Sequence, residues 1–534
     1  MDTLPNSGHP RRWLILGVLV ISLLVVVLDN TVLNVAMKTL ADPEVGLGAT
    51  QSQLEWAINA YTLVFAGLLF SLGVLGDRSG RKRMLLGGLV LFGLASLASA
   101  YAQSPAQLIA ARALMGAGGA AIMPVTLSII SNVFDPRERA RAIGIWTGAV
   151  GLAVAIGPPL GGYLIEHFWW GSVFLINVPI IAIGLAAVTI LVPESRDPNP
   201  GKVDVVGVGL SILGLVSLTY GIVDGGEHGF DRPAVWGWIL TGAAILAGFI
   251  AWEARTSHPS LDVRLFRDRR FSASVGGIGL IFFAALGSFF FVSFYLQLVR
   301  GYSALATGLL FVPFALAQIV FAPLSPTMVR RFGIKAVSTT GMVVAALSFG
   351  QIAFWDAATP IWVIVVSNFF MGVGMANVMP PAMNTIMATL PRERAGVGSA
   401  VSNTVRQVSA ALGIAVLGSI VASVYRARTS EVAASLPPQV RAAATESIAG
   451  AHAVAERIAA AGGGEAGSAL ITAANGAFIT AMHSAAVGSA IVGLFGALVS
   501  LLWLPARTAP PAPVAPREPA AADEPASTDA LVKA

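Results

Sequence analysis

At 534 residues, 55% hydrophobic, only 11% charged and with a mean hydropathy of +0.76, the chain carries more apolar surface than a water-soluble domain can bury. A net charge of +5 calls for no nucleic-acid partner, and the absence of cysteine excludes disulfides, thiolate metal sites and cysteine nucleophiles. Recurrent apolar runs of roughly 20 residues therefore predict an all-α integral membrane protein, because lipid offers backbone N–H and C=O groups no partner.

The first run, 13–36, follows Arg11 and Arg12 and is too long for the core of a signal peptide, so it reads as an uncleaved span. Further spans are predicted near 53–75, 84–102, 105–128, 141–163, 172–192, 203–223, 235–252, 271–298, 304–329, 336–355, 361–388, 396–424 and 477–503, fourteen in all. Alternate connections are rich in Arg and Lys, as at Arg78 to Arg83, Arg137 to Arg141, Arg264 to Arg270 and Arg330 to Lys335. The opposite connections are poor in them, so both termini are expected in the cytoplasm. The connection 425–476 is then extracytoplasmic, Ala-rich and predicted to form short surface helices, while residues 1–12 form a cytoplasmic start and 505–534 a disordered tail.

An internal repeat organises these spans. Arg78-Ser79-Gly80-Arg81-Lys82 is echoed by Arg331-Phe332-Gly333-Ile334-Lys335 at an offset of 253, and Met115-Gly116-Ala117-Gly118 by Met371-Gly372-Val373-Gly374 at 256. Pro136-Arg137-Glu138-Arg139 recurs as Pro391-Arg392-Glu393-Arg394 at 255. The matches align spans 1–6 with spans 9–14, giving an N-terminal six-helix bundle at 13–192, an inserted pair at 203–252 and a C-terminal bundle at 271–503. Two parallel halves of this kind suit a transporter with a central site and alternating access.

Gly73-Val74-Leu75-Gly76-Asp77-Arg78-Ser79-Gly80-Arg81-Lys82, between spans 2 and 3, resembles the loop signature of the major facilitator superfamily. Gly73, Asp77, Arg78, Gly80 and Arg81 are its candidate switch residues; Arg330 replaces the aspartate in the second copy. Span 4, with Arg112 followed by Met115-Gly116-Ala117-Gly118, resembles a second signature of that superfamily. Span 5, with Gly151 and Gly157-Pro158-Pro159-Leu160-Gly161-Gly162, resembles its antiporter signature. Together with Leu28-Asp29-Asn30-Thr31 in span 1 and Phe174-Leu175-Ile176-Asn177-Val178-Pro179 entering span 6, the chain is identified as a member of the drug:H+ antiporter family with fourteen spanners. That resemblance implies a major facilitator fold and a proton-coupled antiporter that exports drugs or other amphipathic molecules across a bacterial inner membrane.

Two charges that lipid should exclude carry the bottom-up case for coupling. Asp29 and Arg112 each lie about 10 Å inside the outer end of their span at 1.5 Å per residue, and neither recurs in the second half, where Phe282 and Asn368 stand in their places. Gly151, Gly157, Pro158 and Gly161 are the candidate antiporter hinge. Asn34, Asn59, Tyr61, Phe294, Gln297, Asn368 and Arg406 are candidates for a substrate cavity with aromatic and methionine walls. The expected partners are a small-molecule substrate, protons and the lipid bilayer; a periplasmic or outer-membrane partner stays an open question. There is no nucleotide-binding loop, no metal cluster among six scattered histidines and no cofactor motif, so neither an enzyme nor an ATP-driven pump is expected.

Overall fold

The structure is a computed structural model that describes residues 9–196, 204–256, 259, 261–389, 395–433 and 438–505. Residues 1–8, the second Pro-Arg-Glu-Arg run at 391–394 and the tail beyond 505 lie outside the described residues, as do the side chain of Asn34 and the surroundings of Gly151. The described residues form helices and no strand.

The first half comprises α1 (Arg12–Ala41), α2 (Gln51–Ser79), α3 (Arg81–Ala100), α4 (Pro105–Val133), α5 (Pro136–His167), α6 (Ser172–Leu175) and α7 (Asn177–Leu191). The inserted pair is α8 (Val205–His228) and α9 (Pro233–Arg255). The second half begins with α10 (Arg269–Phe294), which ends in a π turn at Tyr295–Val299, and continues through α11 (Ala304–Leu310), α12 (Val312–Phe332), α13 (Ile334–Gly350), α14 (Ile361–Ala376), α15 (Met379–Thr389) and α16 (Ala395–Ala433). After the short α17 (Pro438–Glu446) and α18 (Ile448–Ala460), α19 (Gly464–Trp503) closes the chain. Twelve helices among the described residues are long and apolar enough to cross a membrane, and a thirteenth is added if the two arms of α2, which meet at 52°, form one span. The 32-residue α5 occupies the place of the expected fifth span.

Local chemistry sets where these helices begin and break. Thr50 starts α2 with a reciprocal capping box to Gln53, and Ser104 caps α4 just before Pro105. Ala304–Phe332 and Ile361–Thr389 each cross as one span, as expected, with a break in the helix near Pro313 and the Pro380-Pro381 pair, which lack the N–H that a continuous helix needs. The Asn368 amide donates to the Leu310 carbonyl at 2.9 Å, satisfying a backbone acceptor at the end of α11.

The repeat persists at atomic detail. Gly116 of α4 lies against the Tyr61 carbonyl of α2, and Gly372 of α14 lies against the Phe314 carbonyl of α12. A Cβ on Gly118 would come 2.8 Å from Phe92 N and one on Gly374 2.7 Å from Ala345 N, so each half packs corresponding helices through a small residue. Gly80 and Gly333 turn the corresponding loops at φ +115° and +83°.

The halves meet at the end of the bundle remote from the start of α1. There Gln297 donates to the Val35 carbonyl at 3.1 Å, Lys38 to the Gln297 carbonyl at 3.4 Å and Gln51 to the Gly418 carbonyl at 3.2 Å. α5 also interlocks with α11: Gly308 sits on the backbone of Pro158, and a Cβ on Gly162 would come 2.5 Å from Leu305 Cα. The inserted pair flanks this junction, with α8 packed on α2 and α16, while α9 packs on α8 through Ile239, Ile245 and Leu246 and fully buries only Val235, Gly242 and Glu253. Gly308→Val should wedge α5 from α11 at a cost of about 1–3 kcal/mol. The expected result is an apparent melting temperature several degrees lower in detergent than that of the parent, read by intrinsic fluorescence; an unchanged value would show that this junction is loosely packed.

Candidate functional site

Asp29 and Arg112 form a salt bridge in the first half, Nη1 of the guanidinium donating to Oδ2 of the carboxylate, with side chains 1% and 0% exposed. Isolated charges at that depth would be costly, and the neighbours named below spread or satisfy most of them. The Arg112 Nε donates to the Ala57 carbonyl of α2 at 3.0 Å, and its guanidinium carbon lies 4.5 Å from the centre of the Tyr61 ring. On the other side Asn177 donates to Asp29 Oδ1 at 3.3 Å and lies 3.1 Å from Ser96 Oγ, which donates to the Phe174 carbonyl at 2.8 Å. Four elements, α1, α2, α4 and α7, thus converge on one buried pair. Arg112 Nη2 has no hydrogen-bond acceptor among the described residues.

Asn177 and Ser96 were absent from the sequence-derived site. The signal was available in part: Asn177 is a lone amide in an apolar run two residues before Pro179, at the break between α6 and α7. Ser96 carries no such mark, because a buried serine in a helix usually returns its hydroxyl to its own backbone.

The Gly-Pro run of α5 lies one turn further along α1. A Cβ on Gly157 would overlap the Thr31 hydroxyl, and one on Gly161 would come 2.8 Å from Val32 Cγ1. α5 continues as a helix through Pro158 and Pro159. The run therefore touches α1 beside Asp29 on one face and α11 of the opposite half on the other.

The loop between α2 and α3 is pinned within its own half. Asp77 accepts from Arg81 Nε at 2.7 Å, while Arg81 N donates to the Ser195 carbonyl at 2.9 Å and Lys82 N to Glu194 Oε1 at 3.1 Å. A Cβ on Gly80 would come 2.8 Å from that Glu194 carboxylate, and a Cβ on Gly73 3.3 Å from Pro124 Cβ. Arg78 is an exposed residue at the end of α2.

The cavity candidates are dispersed. Tyr61 belongs to the ion-pair cluster, Gln297 and Phe294 to the junction between the halves, and Asn368 to the α11–α12 break. Asn59 is fully buried with no hydrogen-bond partner for either amide atom among the described residues. It shares a face of α2 with Leu63, which packs on Leu215 and Ala411. Arg406 of α16 stands 5.5 Å over the Phe282 ring, and Phe282 packs in turn toward Met383 and Met387 of α15 and Met371 and Met375 of α14. These second-half side chains form a soft, polarizable wall.

The sequence profile of the Major Facilitator Superfamily matches residues 19–414. The multidrug efflux pump LfrA of Mycolicibacterium smegmatis is 36% identical over 490 residues, covering 92% of this chain and 95% of that protein. The methyl viologen resistance protein SmvA of Salmonella typhimurium is 34% identical over 481 residues (90% and 95%), and the tetracenomycin C resistance and export protein of Streptomyces glaucescens 32% over 421 (78% and 78%). Among solved structures, a bacterial homologue of the lysosomal transporter Spinster, inward-facing and unoccupied, superposes with a TM-score of 0.66 at 19% identity, covering 94% of this chain and all of that one. A peptide transporter bound to sulfate gives 0.61 at 16% (94% and 98%). At these identities the structural likeness speaks to the fold alone.

Arg112→Met should leave the Asp29 carboxylate buried without its counter-charge, a loss of about 3–5 kcal/mol. A clear fall in thermal stability is expected in detergent, and the double variant Asp29→Leu with Arg112→Met should recover most of it. A double variant whose loss equals the sum of the losses of Arg112→Met and Asp29→Leu measured singly would mean that the pair contributes no coupled energy.

Proposed function

The chain belongs to the Major Facilitator Superfamily and is a multi-pass membrane transporter, not an enzyme; from that premise we propose that it exports drugs or similar amphipathic molecules across a bacterial inner membrane in exchange for protons. Its relatives are named for multidrug efflux, methyl viologen resistance and tetracenomycin C resistance and export, all concerned with small molecules foreign or toxic to the cell. Soft aromatic and methionine walls around Phe282, with Arg406 beside them, suit cargo of that kind.

The observation that carries the reading is the buried Asp29–Arg112 pair and its place beside the junction between the halves. An ionisable pair in a membrane-embedded helix bundle is a proton-coupling candidate because protonation of the carboxylate changes its bonding completely. With both termini in the cytoplasm, the sealed junction faces outward and the ionised pair belongs to the inward-facing state. When the halves rock, Asp29 meets the outer side, takes a proton and releases Arg112 from its counter-charge. Return to the inner side lets the proton leave and the pair re-form. The loop residues Gly73, Asp77, Arg78, Gly80 and Arg81 hold the first half rigid through this cycle, and the Gly-Pro run of α5 transmits the change at Asp29 to the opposite half.

Asp29→Asn keeps the shape and removes the titratable group. In proteoliposomes with an imposed pH gradient, ethidium export should fall by at least about tenfold, a loss of roughly 1.4 kcal/mol or more in coupling, while ethidium binding stays within twofold. Undiminished gradient-driven export by the variant would refute proton coupling at this residue.

A further inference from the structure

The connection between α16 and α19 does more than join two spans. Ile448, Ala451, Val454 and Ala455 of α18 are buried, whereas Glu456 and Arg457 face outward, so the helix is amphipathic and packed. Its start is fixed by Ser447, whose Oγ accepts from Gly450 N at 3.1 Å. Its buried side lies against α19 and the π turn of α10 in the second half, and against the end of α1 in the first. Beneath its first residues is a recess to which the first half contributes Ala41 and Leu54, the second half Phe290 and Phe294, and α18 its Ile448. The helix therefore lies over the line along which the two halves must part for this end to open.

A side-chain contact ties it to α19. His452 Nε2–H donates to Asn475 Oδ1 of α19 at 2.9 Å. The charges that act on the ring are Lys38 at the end of α1, which opposes its protonation, and Glu456 one turn along α18, which favours it; α19 presents the neutral Asn475.

We propose that α18 is a cap over the outer exit, held down while His452 is neutral and released when an acidic exterior protonates it. Burial pushes the His452 imidazole below its usual range, and Lys38 adds to this, while the Asn475 bond and Glu456 offset only part. A base whose pKa is depressed in the capped form and ordinary, near 6.5, when uncapped binds more protons uncapped. Capping is thus fully favoured above about pH 6.5 and weakens as the pH falls through that value. An exporter driven by inward proton flow works against an acidic exterior, so the same gradient would favour both proton entry and opening of the exit.

The proposal takes from the export reading only that this end faces the acidic side, and its test reads distance, not transport, so failure of one is distinguishable from failure of the other. Because the chain has no cysteine, Val45→Cys on the α1–α2 connection and Arg457→Cys on α18, both exposed, can carry nitroxide labels without background. In lipid nanodiscs, pulsed electron resonance should show a population about 5 Å or more longer, one helical turn, at about pH 5.5 than at about pH 7.5. His452→Gln, which keeps a donor to Asn475 but cannot charge, should hold the short distance at both values. Lys38→Gln, which removes the opposing charge, should shrink the acid-induced population by at least about twofold. Distances that ignore pH in the parent, an undiminished shift in His452→Gln, or an undiminished population in Lys38→Gln would each overturn the proposal.

Discussion

The rest of the first half is arranged around a carboxylate and a guanidinium that share almost no contact with solvent. Taking both from water costs several kcal/mol per ion, repaid only if the pair is close and its remaining hydrogen-bonding atoms are met. Asn177, the Ala57 carbonyl and the Tyr61 ring meet most of them, drawing in α7 and α2. Neutralising Asp29 turns this satisfied arrangement into a lone buried cation. On the proposed cycle, that change in fortune of Arg112, not any motion of the proton itself, is what moves helices.

On that cycle α1 is the element that would carry such a change to the opposite half. Along it stand Asp29 in the ion pair, Thr31 and Val32 against Gly157 and Gly161, and Val35 and Lys38 against Gln297 of the π turn. These positions span about 13 Å at 1.5 Å per residue. Because the Gly-Pro run leaves no room for a methyl group against Thr31, a rotation of α1 cannot be absorbed locally. On the proposed cycle it would be passed to α5, which is itself seated on α11.

Hydropathy and the 253–256 offset made the layout of the spans legible, because span length, loop charge and the small residues between packed helices are all set locally. Asp29 and Arg112 were legible for the same reason, as charges where lipid tolerates few. What could not be read were features defined by a distant partner. Asn177 matters through its bond to Asp29, Gln297 through a backbone carbonyl of the other half, and α18 through what lies beneath it. The Ala-rich connection was expected to lie on the surface, and half of α18 does; alanine carries too weak a pattern to announce its buried face. The Asp29 and Arg112 places also show how the repeat divides: backbone approaches at Gly116 and Gly372 are kept in both halves, whereas the charges are not.

The two kinds of interaction are kept apart for an energetic reason. The junction between the halves is made mostly through carbonyl acceptors, those of Val35, Gln297 and Gly418, with one exposed contact from Ser303 to the Glu166 carboxylate at 3.4 Å, and such single hydrogen bonds contribute about 0.5–3 kcal/mol each. Moving a two-state equilibrium from 1:99 to 99:1 takes about 5.5 kcal/mol. One proton crossing a single pH unit supplies about 1.4 kcal/mol, and its charge crossing 100 mV about 2.3 kcal/mol more. On the proposed cycle the two together, about 3.7 kcal/mol, are of the same order as the switch but fall short of its full range. A junction laced with buried ion pairs would resist it, since separating even one costs about 3–5 kcal/mol. On the proposed cycle, confining the strong pair to the interior of one half, and sealing the halves with weak contacts and close-packed glycines, would let a single titration decide between states that differ little in energy.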